Sequence, residues 1–305
     1  MLQTSPTIRY AELSLETPSK SAFERFLAAL DGKMSEPTLF GWFHWLCILL
    51  TVAVCVFVAL KCRKLSGKQV RLTVGITAAV LLVFELYKQL NYSYYADTDV
   101  WSYNWSAFPF QFCSTPMYIM AMAAVWKEGK FQTRLYDFLA TYGLFAGVLV
   151  LAYPASVFTA TTGINIQTMV HHCSMIVIGV FLYATGQSKI EKRTVWRAAP
   201  VFLVLLALAL VMNGVYAAVG DPNQNFNMFY LSLNGKTPLA FLDTLFEIIP
   251  YPIIVAGYAA GFTLAGFLMT LSAKLCSRLY QRLGKRPVQT AEDVATLETE
   301  KNTTF

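Results

Sequence analysis

Basic residues in this chain fall in alternate gaps between long apolar runs, and that pattern constrains the fold more than any other feature. Seven segments reach the length of about 17–25 residues that a bilayer crossing requires: residues 40–60, 72–90, 107–126, 135–153, 167–184, 197–219 and 248–271. Lys61, Arg63, Lys64, Lys68 and Arg71 follow the first, and Lys127, Lys130 and Arg134 the third. Lys189, Lys192, Arg193 and Arg197 follow the fifth, and Lys274, Arg278, Arg282, Lys285 and Arg286 the last. The intervening gaps carry almost no positive charge, Lys236 being the clear exception. Cytoplasmic loops hold the excess of Lys and Arg. The pattern therefore predicts an all-α polytopic membrane protein of seven transmembrane helices, with the N-terminus outside and the C-terminus cytoplasmic. An even number of crossings would break the alternation.

Composition supports a lipid solvent. The chain is 56% hydrophobic and 14% charged, against about 45–50% and 25% for soluble domains. The net charge of +6 is an orientation signal and gives no reason to expect nucleic acid as a partner. The six cysteines show no CxxC or zinc-ribbon spacing, and most lie inside apolar runs, which argues against a secreted disulfide framework. Residues 1–35 are polar with mixed charges and do not read as a cleavable signal, so the first apolar run is expected to be a true span. Three regions follow. Residues 1–36 form an extracytoplasmic tail, residues 37–273 the transmembrane domain, and residues 274–305 a cytoplasmic tail, basic and then disordered. In the first, Phe23, Phe26, Leu27 and Leu30 fall at i, i+3, i+4, i+7 and predict a short amphipathic helix over 20–31, lying on the outer interface or packed on the bundle. Ser21 with Glu24 has capping-box spacing, and Gly32 is the expected stop.

Polar residues within the apolar runs share one depth. Under the predicted topology Glu85, Lys88 and Gln89 sit in the outer part of the second span. Gln111, Cys113, Ser114 and Thr115 open the third, His171, His172, Cys173 and Ser174 open the fifth, and Asn213 lies near the outer end of the sixth. At about 1.5 Å rise per residue all fall within roughly 5–12 Å of one membrane face. Buried polar groups need partners, so the reading predicts one polar pocket, open outward, among spans two, three, five and six. Only three histidines occur in the chain, and two of them stand side by side here. An ionisable group at membrane depth marks a functional site by default, the alternative being a hydrogen bond that joins helices. Adjacent helical residues point about 100° apart, so one ring is expected to face the pocket and the other a neighbouring helix or Glu85. Glu85 and Lys88, at i, i+3, are expected to pair with each other.

Cys113 lies in the sequence Phe108-Pro109-Phe110-Gln111-Phe112-Cys113-Ser114-Thr115-Pro116. Pro109 suits a first-turn position, which would put Cys113 just past the helix start, where the dipole favours a thiolate. Pro116 would then kink the helix and free the Phe112 carbonyl. Against this stands the plain reading of Cys113 as a small packing residue. The stretch 220–247 is read as an aromatic and Asn-rich lid or an aromatic belt, with Asn225, Asn227 and Tyr230 as hydrogen-bonding groups, and Pro250 with Pro252 should kink the last span.

The order of these motifs resembles a known family. Pro109 to Cys113 opens the third span, His171-His172 the fifth, and Asn213 lies in the sixth. Asn227 to Ser232, Leu242-Asp243, and Pro250 with Pro252 follow. This is similar to the YwaF family of bacterial membrane proteins and its eukaryotic relative, the transmembrane protein 164 family, over roughly residues 107–271. The resemblance implies a seven-helix membrane protein. For the eukaryotic relative it implies an acyltransferase that moves a fatty acyl chain onto an ether-type lysophospholipid, with an essential cysteine and histidine. By position these are Cys113 and either His171 or His172. Bacterial members tend to have histidine two residues before the cysteine, where this chain has Gln111, so the base here would have to come from the His171–His172 pair.

The leading expectation is therefore a membrane-embedded transacylase acting between phospholipid and lysophospholipid. Cys113 would be the nucleophile and His171 or His172 the base, with Gln111, Asn213 or the loop asparagines stabilising the oxyanion. No cofactor is expected. A transporter or sensor is the alternative. It would call for charged relay residues in the inner halves of spans four to six, which read as Leu, Val, Ala and Phe. A metal site of His171, His172, Cys113 and Glu85 is a third reading, disfavoured because adjacent histidines on a regular helix are poor co-ligands. The setting would be the plasma membrane in a bacterium, or the endoplasmic reticulum or another endomembrane in a eukaryote.

Overall fold

Two Ser-x-x-(Glu/Gln) sequences start helices. In the computed structural model, which describes residues 20–95, 98–233 and 240–284 apart from the side chains of 155, 240–243 and 283–284, Ser21 opens α1 (Ala22–Leu30) with a complete capping box. Ser21 Oγ accepts from the Glu24 amide at 3.1 Å, and the Glu24 carboxylate accepts from the Ser21 amide at 2.7 Å. Helix α1 ends on Asp31, one residue before Gly32. Of its apolar face only Leu27 is buried, while Phe23, Phe26 and Leu30 stay exposed. Ser66 and Gln69 form the same box at the start of α3 (Gly67–Ser93). It draws Lys68 and Arg71 into the helix ahead of the apolar run.

The longer rods are α2 (Trp42–Lys61), α3, α7 (Thr162–Ala184), α8 (Lys192–Val219) and α10 (Tyr251–Gly284). A further rod is made of α5 (Lys130–Phe138), a π turn at Leu139–Gly143 and α6 (Leu144–Ala152). Among the described residues these six are long and apolar enough to cross a membrane. Short elements complete the chain: α4 (Thr115–Val125), α9 (Ala240–Ile248) and a two-stranded hairpin of β1 (Tyr94–Tyr95) and β2 (Val100–Trp101). Helices α6 and α7 meet at glycines. A Cβ on Gly147 would stand 2.6 Å from the His172 carbonyl, and one on Gly179 would stand 2.7 Å from Leu144 Cβ. This contact fixes the backbone that carries the histidines.

The basic segments gather at one end of the bundle. Arg71 reaches the Trp126 carbonyl, Arg63 lies 4.3 Å from the Tyr280 ring centroid, and Arg197 pairs with Asp137. At the opposite end Gln89 binds the Ala107 carbonyl, the Trp101 indole donates to Glu24, and the Trp105 amide donates to Gln224. The connection from Ala107 to Trp126 therefore runs from one end to the other.

That connection departs from the expected helix. Residues 108–114 are irregular, and α4 has only 11 residues. Pro109 does not start it. The Pro109 carbonyl is taken by the Tyr118 hydroxyl at 2.9 Å, and residues 111–114 form a turn in which the Gln111 carbonyl accepts from the Ser114 and Thr115 amides. Pro116 instead occupies the first turn of α4, where its missing N–H costs nothing. It therefore begins the helix rather than kinking it, and the Phe112 carbonyl is bonded by the Thr115 hydroxyl at 2.9 Å.

The end that gathers the basic residues also departs from expectation. Asp137, at the end of α5, is fully buried and bonded to Ser188 Oγ at 2.5 Å and Arg197 Nε at 2.6 Å; Arg197 also pairs with Glu191 at 2.9 Å. The parts of these rods expected to be inner are thus not purely apolar. The π turn follows directly, and its Tyr142 hydroxyl meets Thr263 of α10 at 3.0 Å. The tail beyond residue 284, expected to be cytoplasmic, Lys236, and the side chains of Leu242 and Asp243 lie outside the described residues.

Candidate functional site

His44 supplies the reference for what a structural histidine looks like here. It is fully buried, and both ring nitrogens are bonded: Nδ1 accepts from the Phe40 amide at 3.0 Å and Nε2 donates to the Leu151 carbonyl at 2.7 Å. His171 and His172, on α7, differ. His171 Nε2 lies 2.9 Å from the main-chain carbonyl of Cys113, and His172 Nδ1 lies 2.6 Å from the Thr168 carbonyl. A carbonyl only accepts, so these partners assign the ring hydrogens to His171 Nε2 and His172 Nδ1. The remaining nitrogens, His171 Nδ1 and His172 Nε2, are then bare acceptors. Both are buried without a partner, as is Glu85 Oε2. The three residues are 3–5% exposed. Buried polar groups are nearly always paired, so three orphan acceptors on residues of α3 and α7 set this region apart from the rest of the bundle.

Cys113 is held by its backbone. Its carbonyl takes the His171 bond, and its side chain is half-buried. Glu85 and Lys88 lie within electrostatic reach of both Cys113 and His171. Lys88 and Glu85 pair at 2.9 Å as their spacing predicted, and Gln89 donates to the same Glu85 oxygen at 2.7 Å. The pairing of Tyr103 with Gln89 Oε1 at 2.9 Å extends this polar chain outward. Lys88 and Gln89 thus gather on Glu85 of α3, and His171 of α7 on the Cys113 main chain.

Gln111 and Asn213 have a different task. Gln111 donates to the Asn227 carbonyl at 2.7 Å and accepts from the Phe229 amide at 3.0 Å. Asn213 donates to the Met228 carbonyl at 2.9 Å and accepts from the Met228 amide at 2.8 Å. Asn227 Oδ1 accepts from the Ser232 amide at 2.7 Å. These amides clamp the segment 226–232, whose Phe226, Met228, Phe229 and Leu231 are buried. Phe229 and Tyr230 both sit at positive φ, 58° and 57°, a conformation that costs non-glycine residues energy and that the clamp enforces. The oxyanion role expected of Gln111 and Asn213 is thus replaced by a bond to loop backbone at both ends of each amide. Tyr230 lies within electrostatic reach of Cys113, and so does Tyr258 of α10. Tyr258 had no motif to mark it in the sequence. His171 and His172 turn their bonded nitrogens to different partners, and the described residues contain no group of three or more His, Cys, Asp or Glu able to hold a metal ion.

A model of the TMEM164 family matches residues 39–270. The chain belongs to the TMEM164 family. It is an integral, multi-pass membrane protein on the combined ground of that membership and its six long apolar helices. The match takes in every residue of the polar cluster, from Glu85 to Tyr258. No curated protein and no solved structure matches the chain.

Proposed function

We propose that this TMEM164-family protein is a transacylase that moves a fatty acyl chain from a membrane phospholipid to a lysophospholipid through Cys113. In the first step the imidazole takes the thiol proton, Sγ bonds to the ester carbonyl carbon, and the C–O bond breaks. The imidazolium returns its proton to the departing lysolipid alkoxide. In the second step the same nitrogen deprotonates an acceptor hydroxyl, which attacks the thioester and regenerates the thiol. His171, bonded to the Cys113 main chain, is the first choice for the base, with His172 beside it. Glu85 biases His171 electrostatically, and Tyr230 is the hydroxyl available to the oxyanion.

The observation that carries this reading is the pair of buried bare imidazole nitrogens on α7, one of whose rings bonds the main chain of the half-buried Cys113, in contrast to the saturated His44. Seven crossings with the N-terminus outside belong to the same proposal. The connection from Ala107 to Trp126 runs beside α3 from Gln89 to Arg71, 18 residues or about 27 Å of helix, close to the ~30 Å hydrocarbon core. The gathering of basic residues at one end fits that orientation. The alternative, a transporter or sensor, draws on the buried Asp137–Arg197 pair, but that pair lies at the end of the bundle away from the histidines.

The test is transfer of a labelled acyl chain between phospholipid and lysophospholipid by purified protein in vesicles. Cys113→Ser should abolish transfer without changing the unfolding temperature. His171→Gln or His172→Gln should lower it by about 10²–10⁴-fold, the usual weight of a general base. Transfer by Cys113→Ser at the wild-type rate would refute the scheme.

A further inference from the structure

Helices α2, α3 and α7 leave a groove of about 440 Å³ between them. Its floor is Val170, Cys173, Ser174, Val177 and Phe181 of α7, and its α2 wall runs from Cys47 to Cys62. Three features define what it can hold. The first is its surface. The threonines that line it turn their hydroxyls onto their own helices: Thr51 to the Cys47 carbonyl at 2.7 Å, Thr73 to Gln69 at 3.0 Å and Thr77 to Thr73 at 2.9 Å. They therefore present methyl groups, and the groove is lined as a hydrocarbon slot. The second is its length. From Met169 to Phe181 it extends for about 18 Å at 1.5 Å per residue, close to the ~15 Å depth of one bilayer leaflet and hence to one lipid tail. The third is its edge. Met169 and Val170 precede His171 and Cys173 and Ser174 follow it, so the groove passes the level of that residue. Ser174 and Ile178, at i+3 and i+7 from His171, share its face of α7 and set the groove's edge beside the residue whose ring bonds the Cys113 carbonyl.

We infer that this groove is the bed for one fatty acyl chain of a membrane glycerolipid, placing the chain's carboxyl end at the His171–Cys113 contact. The inference rests on the acyl-transfer reading and gives it a ruler: the depth of the groove sets which chain lengths are transferred. A polar ligand would find no free hydrogen-bonding group on the threonines, and a peptide would leave its amides unsatisfied there. The neighbouring face of α2 is open and apolar, with Leu46, Leu49, Leu50 and Phe57 exposed, so a tail can enter sideways from the bilayer.

The experiment uses the full chain in lipid nanodiscs with a phospholipid that carries a photoactivatable diazirine near the tail end. Labelling should map to α7 peptides around Cys173–Phe181 and to α2, saturably. Val177→Trp should remove that label, while nonsaturable labelling of the exposed faces of α8 and α10 persists as the control for folding. In the transfer assay Val177→Trp should shift the preference from long toward short acyl chains by about tenfold, the scale of discrimination that a changed apolar pocket provides. Absence of saturable label in the groove overturns the inference, and so does an active Val177→Trp variant with unchanged chain preference. If the groove is labelled but Cys113→Ser transfers as well as wild type, the acyl-transfer reading fails and the groove's role as its chain bed falls with it.

Discussion

Asn213→Ala should loosen the segment 226–232 and cost the fold several kcal/mol. Met228 is fully buried, and its amide and carbonyl are both held by the Asn213 side chain. Truncation leaves both groups without partners at a depth where water does not replace them. Each orphaned buried group costs about 1–3 kcal/mol, so about 2–6 kcal/mol is expected in total. At the roughly 2–4 °C per kcal/mol of a 150–250-residue domain, this translates to a fall of about 4–24 °C. Thermal unfolding in detergent measures it, and hydrogen exchange over 226–232 locates it. Val211→Ala, on the same helix but 62% exposed, is the control and should shift Tm by no more than about 2 °C. Because Gln111 holds the neighbouring Asn227 and Phe229 backbone groups, the double variant with Gln111→Ala should cost less than the sum of the two single changes. If Asn213→Ala melts with the wild type and the segment exchanges no faster, the clamp is not what holds the strained backbone at Phe229 and Tyr230.

Three further outcomes follow from other parts of the bundle. Gly147→Ala should cost about 1–3 kcal/mol by overpacking α6 against the His172 carbonyl, whereas Gly257→Ala, which meets nothing within 4 Å, should be neutral or slightly stabilising in the same melts. Arg197→Ala should destabilise by about 3–5 kcal/mol because it strands the buried Asp137 carboxylate; Asp137→Asn should cost less, since Arg197, 27% exposed, can turn to solvent. At the other end, the Ser21 hydroxyl and amide, with the Trp101 indole, hold the Glu24 carboxyl below its ordinary value of 4.5. A lowered carboxylate adds stability that is fully present above 4.5 and lost as pH falls below it, so hydrogen exchange in α1 should accelerate below that pH and Glu24→Gln should remove the step.

Periodicity and charge made most of the frame legible. The Ser21–Glu24 box and the Glu85–Lys88 pair involve neighbours in sequence, and local spacing is enough to read them. The nearness of His171 to the Cys113 main chain was legible for another reason: polar groups at one membrane depth have few other places to find partners. The start of α4 was not. The spacing reads Pro109 as the first-turn residue and Pro116 as a kink, whereas the start at Pro116 depends on the Tyr118 hydroxyl and on Gln111 bonding to a segment more than a hundred residues away. The same distance hid the work of Gln111 and Asn213, whose partners are main-chain groups with no sequence signature. Asp137 was missed because it stands alone among apolar neighbours, and its partners Ser188 and Arg197 were read as loop and helix end.

The central claim is that the Cys113 thiol carries an acyl group during turnover. Intact-mass analysis of the purified protein incubated with phospholipid, before and after hydroxylamine, tests it directly. The account predicts a hydroxylamine-labile acyl mass on the peptide containing Cys113, discharged when lysophospholipid is added and missing in Cys113→Ser. An adduct that stays when lysophospholipid is supplied, or one that maps to Cys62 or Cys276 instead, contradicts it.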